Sequence, residues 1–147
     1  MSLIKTLCMV LMALVVWSCG SAPTLPPPAD GKKAWFQIES LWAFSFNHDV
    51  NIYRVYRVTT EGNVTYLGRG KEIGTRALSD EQMHRFESLT RNLPLSMNPL
   101  VPVDAGGVML TIYHDGKPLG ALAKTPLDTN EAPNRIMSEL QTLFIEQ

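Results

Sequence analysis

Residues 50–70 read VNIYRVYRVTTEGNVTYLGRG, and the fold turns on this stretch. From 50 to 60, β-branched and aromatic residues occupy both parities, the pattern of a strand covered on both faces for part of its length. Glu61-Gly62-Asn63 interrupts it, and residues 64–67 resume it. Gly62 can adopt the positive φ of a tight hairpin, so the two segments are expected to pair antiparallel. Gly68 and Gly70 mark an end or a bulge, with a fourth strand expected at residues 72–77.

Working upstream, residues 34–46 (AWFQIESLWAFSF) place Phe36, Ile38, Trp42, Phe44 and Phe46 on one parity and Gln37, Glu39 and Ser45 on the other. This period of two is a strand signature, and Asn47-His48-Asp49 supplies turn chemistry after it. Downstream, Ser79 and Gln82 form a capping-box pair, with Asp80 and Glu81 at the positive end of the helix dipole. Met83, Phe86, Leu89 and Leu93 follow at helical spacing until Pro94. The loop at residues 95–107 is long for a compact domain. Beyond it, alternation around Asp115-Gly116 predicts a hairpin returning through residues 119–124. After a polar connection, Ile136, Met137, Leu140, Leu143 and Phe144 make an amphipathic terminal helix. The expectation is one α+β domain over residues 34–147, with an antiparallel sheet of about five to six strands and two amphipathic helices packed on one face.

The 147 residues carry 13 Lys plus Arg against 14 Asp plus Glu, a net charge of −1. No global field draws such a chain to nucleic acid, and no nucleic-acid partner is expected. The amino end has its own layout: one lysine by residue 5, an apolar run at residues 6–16, then small residues. That is the three-part plan of a secretory signal, and the run is too short for a permanent membrane span of about 20 residues.

Val16-Trp17-Ser18-Cys19 resembles the lipobox of bacterial lipoprotein signals, with a branched apolar residue three positions before the cysteine and a small one just before it; Trp17 stands where a small residue is usual. The resemblance covers about the first 20 residues. It implies a signal peptide at 1–18, lipidation of Cys19, and attachment to a membrane through that lipid. Gly20 after the cysteine resembles an outer-membrane sorting signal, which places the domain on the outer membrane facing the periplasm. The alternative is ordinary cleavage after Ala22, leaving a soluble periplasmic protein. Residues 19–33 carry Pro23, Pro26, Pro27 and Pro28 and read as a stiff tether reaching up to ~40 Å.

The chain has two cysteines, Cys8 and Cys19. Residues 20–147 therefore offer no disulfide, thiol nucleophile or zinc-thiolate site. His48, His84 and His114 stand apart from one another, and neighbouring strand residues such as His114 and Asp115 are expected to point to opposite faces. No serine sits in a nucleophile elbow, and the Gly68–Lys71 stretch GRGK lacks the P-loop pattern. No cofactor, metal or catalytic residue is expected. The candidate binding patch is Arg54, Arg57, Arg69, Lys71 and Arg76, with Arg57 and Arg69 expected near each other across the hairpin. Trp35 and Tyr53, off the apolar parity, are candidate contact aromatics. The reading is a non-enzymatic, membrane-tethered module that binds a protein partner of an envelope or secretion assembly. The alternative is an inhibitor or immunity protein of a periplasmic or secreted hydrolase.

Overall fold

A computed structural model describes residues 31–41, 54–68, 71–100, 106–125 and 128–145. The expected stretches at 1–30, 42–53 and 69–70, which include Cys19, His48, Tyr53 and Arg69, lie outside them. After a 3-10 turn at Gly31–Lys33, the elements are β1 (Ala34–Leu41), β2 (Arg54–Thr59), β3 (Asn63–Gly68), β4 (Lys71–Ala77), α1 (Asp80–Thr90), β5 (Gly107–His114), β6 (Lys117–Lys124) and α2 (Ala132–Ile145). The six strands form one antiparallel sheet in the order β4-β3-β2-β1-β5-β6. The fold is α+β and dominated by its sheet.

The hairpin at residues 60–62 forms because Gly62 takes φ +81° and donates its N–H to the Thr59 carbonyl at 3.0 Å. At the second hairpin, Asp115 and Gly116 both have positive φ, as a two-residue turn of the primed kind demands. The β5–β6 hairpin adds to the side of β1 that β2 leaves free. Pairing Phe36 with Ile112, Ile38 with Leu110 and Ser40 with Val108 extends the β1–β4 meander into a sheet with β1 inside it.

Strand alternation then sorts the side chains. Phe36, Ile38, Tyr56, Val58, Val64, Val108, Leu110 and Ile112 join Phe86 of α1 and Ile136, Met137 and Leu140 of α2 in one buried cluster. The Phe36 and Phe86 rings meet edge-on, 5.7 Å apart at 87°. Tyr56 and Tyr66 stack at 4.8 Å, and Phe144 covers both, at 5.8 and 5.3 Å.

Helix α1 shows its expected capping box. Ser79 accepts from the Gln82 N–H while its own N–H donates to the Gln82 side chain. Helix α1 ends at Thr90, before the Leu93 of the expected stripe, because Asn92 adopts φ +59° and lets Leu93 and Leu95 pack onto the core as loop residues. The long loop is also tied down, since Ser96 exchanges two 2.8 Å backbone hydrogen bonds with Ala121 and so covers the outer edge of β6. The other edge strand, β4, is charged, exposed and bulged at Ile73, features that discourage edge-to-edge pairing. At the start of α2, Pro133 occupies the first turn, where no N–H is needed. The buried Lys124 ammonium meets Glu131 at 2.9 Å and the Asp128 carbonyl, fastening the end of β6 to this helix.

Phe86 is the buried side chain that joins α1 to the sheet. Phe86→Ala is expected to cost about 3–5 kcal/mol in urea unfolding, whereas Glu87→Ala, one residue along on the exposed side, is expected to stay within about 0.5 kcal/mol. Equal losses for the two variants would contradict this assignment of the core.

Candidate functional site

Strand β1 carries a bulge. Its register with β2 shifts between Ala34 and Phe36, so Trp35 is the extra residue. Alternation alone would send Trp35 to the far side of the sheet from Phe36. Instead its ring lies 5.0 Å from that of Phe36 at 74° and packs against the core cluster. Helix α1 runs alongside and brings Met83, Glu87 and Thr90 at spacings of four and three, one row beside the buried Phe86. Thr60 of the β2–β3 turn and Arg91 at the end of α1 complete a groove of about 390 Å³. Its walls are aromatic and thioether surface, and its rim offers two hydroxyls, a carboxylate and a guanidinium. Such a mixture suits an extended chain or small molecule held by stacking and a few hydrogen bonds.

The basic residues singled out from sequence are distributed differently from that expectation. Arg57 pairs with Thr65 and Gln37, and its Nε donates to Gln37 Oε1 at 2.9 Å. Thr65 stands opposite it in the hairpin, and Arg69 lies outside the described residues. Arg54 and Lys71 flank Gly68 from the two neighbouring strands, and Arg76 lies over the Phe144 ring at 5.6 Å. By alternation Arg54 and Arg76 share the side of Tyr56 and Val64, and Arg57 faces the opposite way. The Gly68–Lys71 stretch is a hairpin connection, with its two ends paired to each other.

Around Arg57 the far side of the sheet is polar yet buried. Gln37, Glu39, Thr111 and Tyr113 are each less than a tenth exposed. Burial pushes the Tyr113 hydroxyl above its ordinary pKa, Glu39 adds to the rise, and Arg57 opposes it. On the core side, burial pushes Tyr56 up to about 12, with Tyr66 adding and Arg54 opposing.

The histidines within the described residues are surface groups. His84 meets Glu87 at 3.5 Å, and His114 meets Asp115 at 3.5 Å. The second contact departs from the expected opposite orientation because Asp115 has left the strand for the turn, at φ +49°. Among the described residues, no group of three or more His, Cys, Asp or Glu could hold a metal ion, and no helix is long and apolar enough to cross a membrane. No protein-family model, curated protein or solved structure matches this chain.

Sequence reasoning singled out Trp35 as a contact aromatic, in company with Tyr53, and missed its groove partners Thr60, Met83, Glu87, Thr90 and Arg91. A signal existed in the helical spacing of Met83, Glu87 and Thr90. What sequence lacked was the bulge that brings Trp35 to their side.

The tyrosine shifts set an alkaline limit on the fold. Tyr56 keeps its proton to about pH 12 when folded but loses it near pH 10 when unfolded, so its contribution is intact below 10 and fades as pH rises from 10 to 12. Between pH 8 and pH 11 the native chain is expected to lose about 1.4 kcal/mol more stability than the Tyr56→Phe variant, as one pKa unit implies. Denaturant midpoints at the two pH values measure this, and an identical loss in both chains would contradict it.

Proposed function

We propose that this chain is a lipid-anchored envelope protein whose domain binds a protein partner and catalyses no reaction. In this reading residues 1–18 are a signal peptide and Cys19 carries lipid. Residues 19–33 form the tether, and residues 34–147 form the one α+β domain. The observation that carries the proposal is the short apolar run that stops at Ser18-Cys19-Gly20 and passes into Pro23, Pro26, Pro27 and Pro28. An apolar run of that length suits a removed signal, and a lipidated cysteine then supplies the hold on the membrane.

We place the protein on the outer membrane, facing the periplasm, as an accessory of an envelope or secretion assembly. Both helices cover one face of the sheet, a reading supported by the single cluster that unites Phe86, Ile136 and Leu140 with Phe36, Ile38 and Leu110. The partner meets the β2–β4 side of the sheet, where Arg54 and Lys71 flank Gly68 at one end and Arg76, opposite Val64 toward the other end, lies over Phe144. Arginine and lysine there recognise an acidic surface.

The Cys19→Ala variant tests the anchor. It is expected to lose labelling by a palmitate analogue and to leave the detergent-extracted membrane fraction. Membrane retention equal to that of the native chain would overturn the proposal.

A further inference from the structure

The groove beside α1 lies next to the point where the chain enters the domain. The Lys33 carbonyl accepts a 2.8 Å hydrogen bond from the Thr60 N–H, and Lys33 Nζ meets Glu61 at 2.7 Å. Thr60 is itself a groove residue, so the incoming chain is pinned at the groove's edge. Pro28 stands three positions before Gly31, where the 3-10 turn begins. Extended, those three steps reach about 10 Å, and Gly31, at φ +56°, bends the chain where it lies beside Gly116 of the β5–β6 turn.

We propose that residues 23–28 of this same chain, PTLPPP, dock in the groove lined by Trp35, Thr60, Met83, Glu87, Thr90 and Arg91. The chemistry of the two surfaces matches. A proline-rich segment forms a preorganised extended helix that presents apolar rings and free carbonyls, and its prolines have no N–H to donate. Trp35 and Met83 offer apolar surface to the rings. The Trp35 indole, the Thr60 hydroxyl and the Arg91 guanidinium offer donors to the carbonyls, while the Thr90 hydroxyl donates to the Phe86 carbonyl of its own helix. A short link holds ligand and groove at millimolar effective concentration, so weak docking suffices. With the segment seated, the tether is shortened and the domain is held closer to its point of attachment. A partner carrying a similar proline-rich segment would release it by competition. The inference requires only that residues 23–28 stay on the chain, so it stands or falls apart from lipidation of Cys19.

The test places a photo-crosslinker in the full-length protein in cells. Glu87→p-benzoylphenylalanine, and separately Thr60→p-benzoylphenylalanine, put the probe on two exposed sides of the groove. Mass spectrometry is expected to map the crosslink to residues 23–28 of the same chain. In a chain also carrying Pro26→Gly, Pro27→Gly and Pro28→Gly, the yield is expected to fall about fivefold or more, because the segment loses its preorganisation. A synthetic peptide of residues 22–29 should bind that chain at least about tenfold more tightly than the native one, where the internal copy competes. Crosslinks only to a second copy, another protein, a glycan or other residues of this chain would overturn the proposal. So would the absence of any crosslink from both positions, or a yield unaffected by the glycines.

Discussion

Strand β1 satisfies its backbone on two sides at once, toward β2 through pairs such as Ile38 with Tyr56 and toward β5 through Ile38 with Leu110. Ile38 is fully buried, and Phe36 beside it holds the edge of Phe86. Two pieces of the chain far apart in sequence, the β2–β4 meander and the β5–β6 hairpin, become one sheet only because both pair with this strand. Helix α1 lies between them in sequence and reaches the core through Phe86. Removing backbone partners from a buried strand leaves donors and acceptors without water or protein to satisfy them, which makes the arrangement cooperative.

The same strand builds the groove. A bulge adds one residue to one strand only and offsets the register by one, and here that residue is Trp35. Phe36 and Ile38 keep their place in the core, and Trp35 joins Met83, Glu87 and Thr90 from α1. On the far side, Gln37 and Glu39 of β1 alternate with these core residues and sit with Arg57, Thr111 and Tyr113. One eight-residue strand thus supplies the core, the groove wall and the buried polar side.

Much of this was legible in the sequence because it rests on local chemistry. Period-two alternation marked β1 and β5, Gly62 and Asp115-Gly116 marked the hairpins, and Ser79 with Gln82 marked the start of α1. That β5 takes the other side of β1 was not legible, since alternation tells which side of a strand is apolar and not which strand lies beside it. The end of α1 was misjudged because Leu93 fits the helical stripe, yet Asn92 takes a left-handed conformation and delivers Leu93 to the core from a loop. Register, too, needed the length of the turn at Gly62, which sets Thr65 opposite Arg57. The groove stayed hidden for a related reason: its aromatic wall depends on a bulge that no residue type announces.

The account makes β1 the element on which sheet, core and groove depend, and native-state hydrogen exchange tests that most directly. Amides of residues 36–40 are expected to open only with global unfolding, with protection matching the free energy from denaturant titration, whereas amides of the exposed edge strand β4 exchange through smaller local openings. Exchange in β1 as fast as in β4 would contradict the account.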